Sequence, residues 1–171
     1  MRIAELSEAQ AEERSDALAA VLLDAVAGGA SVGYMADLSR DDAAAFWREA
    51  IAGIAAGGTL LFAALEGDAL SGTVLFHPCR KPNQLHRADV AKLLVVQSSR
   101  RAGIGSRLMD ALETRALALG RNLLTLDTAS GSEAESFYRR RGYVRAGEIP
   151  GYTLMPDGSL NGTALYYKQL G

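Results

Sequence analysis

Residues 88–119 constrain the fold of this chain more than any other segment. Residues 88–96, Ala-Asp-Val-Ala-Lys-Leu-Leu-Val-Val, predict a strand in the centre of a sheet, because they form a largely apolar run. A loop that contains Gly103 follows, and apolar side chains then recur at helical spacing, at Ile104, Leu108, Met109, Leu112, Ala116 and Leu119. A strand that leads through a glycine loop into an amphipathic helix predicts a layered α/β fold.

Helical patterns dominate the sequence before this segment. Residues 8–27 predict a first helix that ends at Gly28, because small and apolar side chains recur there at helical spacing. Ser39 is placed to cap a second helix that continues to Gly57, and acidic residues follow it as they do in the first turn of many helices.

Strand patterns dominate the remaining segments. Residues 60–65 and 70–76 predict a hairpin, since a Gly-Asp turn separates two apolar runs. Further strands are predicted at residues 123–127, 143–148 and 164–168, and a short helix at residues 134–141. No repeat, linker or compositional break divides the chain, so we expect one domain over residues 1–171.

Composition argues against several classes of protein and of site. The net charge is −2 and the isoelectric point is about 5.7, so the overall field does not attract nucleic acid or acidic membranes. Cys79 is the single cysteine, and with His77 and His86 it supplies too few ligands for a metal site. No signal-peptide pattern opens the chain, and no apolar run reaches the ~18 residues of a membrane span. We therefore expect a cytoplasmic protein without a metal, membrane or nucleic-acid partner.

The loop before the long helix has the composition of an anion site. A helix N-terminus presents unpaired N–H groups, and Gly103 and Gly105 would let an anion approach the main chain. Ser106 adds a hydroxyl, and Arg100 or Arg101 adds positive charge. From these residues alone, a tight turn with solvated arginines is an alternative. The glycine patterns of nucleoside-triphosphate and dinucleotide sites are absent.

Together with its strand context, this loop resembles motif A of the GNAT superfamily of N-acetyltransferases, Arg/Gln-x-x-Gly-x-Gly/Ala. The resemblance implies a central mixed, mostly antiparallel twisted sheet of about seven strands, splayed between strands 4 and 5, with about four flanking helices. It also implies acetyl-CoA as co-substrate. The cofactor-binding residues that it implies are Leu94, Val95 and Val96 on the strand, and Arg100, Arg101, Ala102, Gly103, Ile104, Gly105 and Ser106 in the loop.

A second segment, from Ala134 to Tyr143, is similar to the family's Ala-x-x-x-Tyr-x-x-x-Gly-Phe/Tyr pattern. In the family this tyrosine meets the sulfur of CoA, which implies that Tyr138 binds the cofactor and acts as general acid. A phenol has a pKa of about 10 and is protonated at neutral pH, so the role is chemically reasonable. The alternative is a packed tyrosine with its hydroxyl in water. Gly131 stands where the family often has an asparagine that contacts the cofactor.

Two carboxylates are candidates for binding or deprotonating the acceptor amine. Asp127 follows an apolar strand, and Asp89 lies on the fourth strand, where some members of the family carry a glutamate base. We rank Asp127 slightly higher, although an ordinary surface or capping role is open for both.

Segments outside the cofactor site resemble the tabtoxin-resistance acetyltransferases within this family, among them residues 28–38, 81–83 and 147–152. Those enzymes acetylate an amino-acid toxin, so the likeness implies a small amine that bears a carboxylate. The candidate acceptor contacts are Lys81, Arg87 and Lys92 for the carboxylate, Asp37 as a further acid, and Tyr34 and Tyr152 as pocket walls. Solvated or packing roles are alternatives for these residues.

Three functions are compatible with the sequence. They are acetylation of a small amine, acetylation of a protein terminus or lysine, and binding of CoA by a sensor that catalyses nothing. We favour the first, because residues 151–163 are expected to form a long loop that covers one end of the site, whereas a peptide needs an open groove. A monomer and a homodimer are both compatible with the sequence.

Overall fold

A computed structural model describes residues 1–171, which form seven strands and five α-helices. In chain order these are β1 (Arg2–Leu6), α1 (Glu8–Glu12), α2 (Ser15–Ala27), α3 (Arg40–Ala55), β2 (Leu60–Glu66), β3 (Ala69–Pro78), β4 (Arg87–Val95), α4 (Ile104–Ala118), β5 (Leu123–Ala129), α5 (Glu133–Arg140), β6 (Val144–Leu154) and β7 (Leu160–Gln169). Short 3₁₀ turns lie at Pro82–Gln84 and Gln97–Ser99. None of the helices combines the length and the apolar character that crossing a bilayer requires.

All seven strands belong to one sheet, in the order β1-β2-β3-β4-β5-β7-β6. Every neighbouring pair is antiparallel except β4 and β5, which are parallel. The prediction of a mixed, mostly antiparallel sheet of about seven strands is therefore confirmed.

The parallel pair separates soon after it forms. Strands β4 and β5 are in register only at Arg87 with Leu123, Ala88 with Leu124 and Asp89 with Thr125. Beyond Thr125 strand β5 pairs only with β7. The C-terminal halves of β4 and β5 thus face each other across a gap, which confirms the predicted splay.

Strand β4 also carries a bulge at the level of this gap. The register between β3 and β4 shifts between Thr73 and Leu75, and Lys92 has a φ of 50°. The Thr73 hydroxyl donates a hydrogen bond of 3.2 Å to the main-chain oxygen of Lys92. A non-glycine residue in this region of φ and ψ is uncommon and typical of bulges near functional sites.

The sheet has a separate hydrophobic core on each face. On one face α4 and α5 cover a cluster that includes Phe76, Leu124 and Tyr166. On the other face α1, α2 and α3 cover a cluster around the fully buried Trp47. That second cluster takes in side chains of β1 to β4 but none of β5, β6 or β7. The gap therefore opens beside a face of β5 that no helix of this core covers.

The structure differs from the sequence predictions at three places. Residues 8–27 form two helices, because the chain turns at Glu13 and Arg14. Strand β1 was not predicted, since it is short and is recognised only by its pairing along β2. The prediction of a long loop at residues 151–163 is wrong, because most of these residues belong to the β6–β7 hairpin, whose turn lies at residues 155–159.

Candidate functional site

The loop between β4 and α4 presents a row of unpaired donors. None of the main-chain N–H groups of residues 101–106 donates a backbone hydrogen bond, and the first donor of the helix is Arg107, to Gly103. These N–H groups lie at the positive end of the α4 dipole. Such a row of free N–H groups is able to bind an anion, and the assignment of an anion site to this loop stays a prediction.

The two glycines of this loop have different surroundings. Gly103 caps α4 with a φ of 75°, and a Cβ built there meets nothing within 4 Å. A Cβ on Gly105 would contact the ring of Phe137 at 3.5 Å, so α5 packs closely over the first turn of α4. Gly103 therefore leaves the anion site open, whereas Gly105 also serves helix packing.

The charged and hydroxyl side chains of the loop are largely free. Arg100 donates from Nε to the main-chain oxygen of Val95 at 3.3 Å. The Arg101 side chain is 88% exposed, and its nearest carboxylate oxygen, on Glu133, lies 3.7 Å from Nη2. A weak, solvated pair of this kind leaves the Arg101 guanidinium available to an anion. Ser106, in the first turn of α4, is only partly buried.

The end of β4 supplies a main-chain edge beside the loop. Leu94 packs in the α1–α3 core and Val95 against the α4–α5 core, while Val96 donates to the main-chain oxygen of Ser71 at 3.0 Å. On the side of β5 this part of β4 has no strand partner. An unpaired edge of this kind can bind an extended ligand through main-chain hydrogen bonds.

Tyr138 lies in α5 within a cluster of aromatic rings. Its ring centre is 5.3 Å from that of Phe137, 5.5 Å from Tyr143 and 6.3 Å from Tyr166. Burial raises the pKa of the Tyr138 hydroxyl, and the negative charge of Asp127 adds to the increase. Tyr138 is therefore a protonated phenol at neutral pH, close enough to Asp127 to feel its charge.

The two candidate carboxylates have different partners. Asp89 accepts a hydrogen bond from Arg87 Nη1 at 2.7 Å and another from the Thr125 hydroxyl. Asp127 is exposed, and no hydrogen bond or ion pair occupies its carboxylate. Leu124 and Leu126 pack in the α4–α5 core, so the alternation along β5 places Asp127 on the opposite face. Asp127 also lies beyond Thr125, the last residue of β5 that pairs with β4.

Residues 34–150 match the sequence model of a family described as "Acetyltransferase (GNAT) domain". The chain belongs to this family. The match includes the anion loop, the splayed strands, Tyr138 and both candidate carboxylates. The protein is therefore a GNAT-type N-acetyltransferase, and the family uses acetyl-CoA as its acetyl donor.

Solved structures of other proteins share this fold. An N-acetyltransferase from Staphylococcus aureus Mu50 has a TM-score of 0.81 and 20% identity over 99% of this chain and 98% of its own. A ribosomal-protein-alanine N-acetyltransferase from Brucella melitensis has a TM-score of 0.80 and 18% identity over 99% and 100%. The acetyltransferase yncA from Salmonella typhimurium, solved with acetyl-CoA, has a TM-score of 0.78 and 16% identity over 100% and 94%. At these identities the comparisons establish the fold.

Lys92 links several parts of the GNAT domain near the gap. Its Nζ donates a hydrogen bond of 2.8 Å to the main-chain oxygen of Val32, in the loop between α2 and α3. The same atom lies 5.0 Å from the ring centre of Phe46 and 6.0 Å from that of Tyr34. Burial lowers the pKa of the Lys92 ammonium, and the Asp127 carboxylate opposes this effect. Lys92 and Asp127 thus face the same region of the acetyltransferase.

The structure brings Tyr34 to this region as well. Its ring lies 6.1 Å from that of Phe46, and burial, with the charges of Glu49 and Asp42, raises its pKa. Asp37 is exposed further along the same loop.

Three other predicted acceptor contacts make no hydrogen bond or ion pair with Lys92 or Asp127. Lys81 precedes β4, at the opposite end of that strand from the bulge, and Arg87 is paired with Asp89. Tyr152 is 62% exposed on β6. The structure therefore groups Lys92 and Tyr34 with Asp127, and it does not bring Lys81 to them.

Four further residues near Lys92 were not predicted from the sequence. Phe46, Glu49, Thr59 and His77 line a cavity of about 560 Å³ between α3 and strands β3 and β4. On β3, Val74 and Phe76 point to the α4–α5 core, so the alternation of side chains places His77 on the opposite face, which α3 covers. A histidine at the end of a buried strand was the one available sequence signal. No group of three or more His, Cys, Asp or Glu side chains in the acetyltransferase is arranged to hold a metal ion.

Proposed function

We propose that this GNAT domain, taken as residues 1–171, transfers the acetyl group of acetyl-CoA directly to the amino group of a small, amino-acid-like molecule. The observation that carries the proposal is the unpaired carboxylate of Asp127 beside the β4–β5 gap, with Lys92 and Tyr138 near enough to feel its charge. The ammonium of an amino acid would pair with the Asp127 carboxylate, and its carboxylate would pair with the Lys92 ammonium.

The donor side of the proposal rests on the α4 loop and on β4. The N–H groups of residues 101–106, with Arg100, Arg101 and Ser106, would bind the pyrophosphate. The unpaired edge of Leu94, Val95 and Val96 would bind the pantetheine arm through main-chain hydrogen bonds. This arrangement directs the thioester into the gap between the strands.

The chemistry requires a neutral amine and a proton for the departing thiolate. Asp127 binds the acceptor ammonium and takes its proton, so that the amine attacks the acetyl carbon. Tyr138 stays protonated at neutral pH because its pKa is raised, so its hydroxyl can donate a hydrogen bond to the sulfur. As the C–S bond of the tetrahedral intermediate breaks, the hydroxyl proton passes to the sulfur and the remaining excess proton of the nitrogen passes to the Tyr138 oxygen, so that Tyr138 is not left as a phenolate. Asp89 is a poorer base, because Arg87 and Thr125 already occupy its carboxylate.

The acceptor side of the proposal rests on Lys92 and its neighbours. The Lys92 ammonium has three donors and uses one on Val32, so donors remain for an acceptor carboxylate. Ala36 in the α2–α3 loop donates to the main-chain oxygen of Pro156 at 3.1 Å, which joins that loop to the β6–β7 turn. Because Val32 and Tyr34 lie in the same loop, we infer that this contact limits the space beside Lys92, which favours a small acceptor over a long peptide. The likeness to the tabtoxin-resistance enzymes supports an amino-acid-like acceptor, with Tyr34, Asp37 and Tyr152 in its surroundings.

The test is release of free thiol from acetyl-CoA in the presence of amino acids, simple amines and a short peptide. We expect turnover with amino acids, and a loss of about 100-fold in kcat on Asp127→Asn. The matched control is Asp68→Asn, an exposed carboxylate in the turn between β2 and β3. Turnover with the peptide alone would make the chain a protein acetyltransferase. Binding of acetyl-CoA without any turnover would make it a sensor, and either result overturns the proposal.

A further inference from the structure

The α3 groove is the cavity of about 560 Å³ that lies between α3 and the strands β3 and β4. We define it by Phe46, Glu49, Ala56, Thr59, His77 and Lys92, which are among its lining residues. Its volume is in the range of pockets that bind small molecules. It lies on the face of β4 that α3 covers, next to the bulge.

The polar wall of the groove is a hydrogen-bonded pair. His77 Nδ1 lies 3.1 Å from the Thr59 hydroxyl, and Thr59 is only 7% exposed. Burial lowers the pKa of His77 below its usual value, and the Asp89 charge opposes this only in part. His77 is therefore neutral at neutral pH. A neutral imidazole and a hydroxyl can each donate and accept a hydrogen bond.

The helix that covers the groove leaves room for this pair. A Cβ on Gly53 in α3 would lie 2.7 Å from the Thr59 hydroxyl oxygen, a distance that atoms do not adopt without a shift. The absence of a side chain at Gly53 therefore leaves room for the Thr59 hydroxyl beside His77. Helix α3 therefore packs closely against the Thr59–His77 pair.

Lys92 belongs both to the groove and to the proposed transfer site. It lines the groove, and its ammonium is close enough to Asp127 for the carboxylate to raise its pKa. An amino acid with its carboxylate on Lys92 and its amine on Asp127 therefore has its third substituent free to enter the groove. The Thr59–His77 pair there is uncharged, and the one carboxylate that lines the groove, Glu49, lies at an exposed position of α3.

We infer that the α3 groove is the side-chain subsite of the acceptor, and that it selects amino acids whose side chains carry an uncharged hydrogen-bonding group, such as an amide or a hydroxyl. The inference rests on the proposed function and extends it to the class of side chain. Thr59 and His77 determine the specificity, and Ala56 lies where a bulky residue would fill the groove. The reacting atoms stay at Asp127 and Tyr138.

The test compares KM and kcat for glutamine, norleucine, lysine and glycine with acetyl-CoA as donor. We expect a lower KM for glutamine than for norleucine. Thr59→Val or His77→Leu should raise the KM for glutamine by roughly 3- to 10-fold, the effect of one lost hydrogen bond, and leave the KM for the other acceptors unchanged. Ala56→Phe should raise KM for glutamine by about 10-fold or more and leave that of glycine, which has no side chain, unchanged. The matched control is Ala55→Phe, at the preceding exposed position outside the groove.

The outcomes separate this inference from the proposed function. If the wild-type protein acetylates none of these acceptors, the proposed function is wrong and the subsite with it. If it acetylates them but Ala56→Phe and Ala55→Phe give the same KM values, only the subsite is wrong. A preference for lysine over glutamine would assign the groove to a cation beside Glu49 and would overturn the class proposed here.

Discussion

Lys92 Nζ donates a hydrogen bond of 2.8 Å to the main-chain oxygen of Val32, and this contact joins the β4 bulge to the α2–α3 loop. The two residues come from segments that are far apart in the sequence. The positive φ of Lys92 determines the direction in which its Cβ leaves the strand. The rings of Phe46 and Tyr34 lie beside the ammonium. The position of the loop therefore depends in part on Lys92, a residue of the central sheet with an uncommon backbone conformation, together with the contact of Ala36 with Pro156.

Lys92→Met tests this dependence. The variant keeps the length of the side chain but loses the hydrogen bond to Val32, so we expect faster amide exchange in residues 30–38. The acceptor KM should rise by about 10-fold, while the KM for acetyl-CoA stays unchanged, because the loss concerns charge-assisted contacts on the acceptor side. Lys81→Met, outside this region, is the matched control. Unchanged exchange in the loop would contradict the role of Lys92.

Gly103→Ala tests the anion site. A side chain at a φ of 75° costs roughly 1–2 kcal/mol and adds a methyl group beside the free N–H groups. We expect a lower free energy of unfolding and a higher KM for acetyl-CoA. Gly120→Ala has a similar φ of 68° at the other end of α4 and controls for strain alone. Equal KM values for the two variants would remove the anion loop from donor binding.

Tyr138→Phe tests the proton donor. We expect kcat to fall by about 100-fold or more, with little change in the KM for acetyl-CoA, because the ring packing is kept and only the hydroxyl is lost. Tyr167→Phe removes an exposed hydroxyl on β7 and should leave kcat unchanged. Equal turnover by wild type and Tyr138→Phe would exclude the hydroxyl from the mechanism.

The lowered pKa of His77 predicts that the free energy of unfolding depends on pH. Burial lowers the pKa of His77 in the folded protein, so the unfolded chain binds the proton more tightly. Its contribution to stability is therefore complete above the unfolded pKa of about 6.5 and is lost as the pH falls through the lower folded value. We expect urea unfolding at about pH 7.5 and about pH 5 to differ less in His77→Leu than in wild type. An equal difference would show that His77 does not titrate in this way.

The proposed donor side of the site was the part most accessible to prediction from the sequence. Gly103, Gly105 and the arginines lie in one short segment, so their arrangement follows from a strand, a turn and a helix N-terminus. The splay was predicted through the family resemblance, and the register of β4 and β5 confirms it. The roles assigned to Tyr138, Asp127 and Asp89 stay predictions.

The proposed acceptor side was less accessible to prediction from the sequence, because tertiary packing assembles it. Thr59 and His77 meet only when β2 and β3 pair and α3 covers them, and nothing in their local sequence signals this. The bulge at Lys92 depends in the same way on the shifted register between β3 and β4. Strand β6 was underestimated because it is exposed along almost its whole length, so its apolar and polar residues do not alternate.

The two cores on opposite faces of the sheet lie behind different parts of the proposed site. Tyr138 and the first turn of α4 belong to the α4–α5 core, whereas the α3 groove borders the core around Trp47. Except at Leu94, which packs in the core around Trp47, substitutions near Trp47 that alter the choice of acceptor would leave the proposed donor contacts in place. An ancestral protein with this architecture can acquire new substrates during evolution while its common chemistry is preserved.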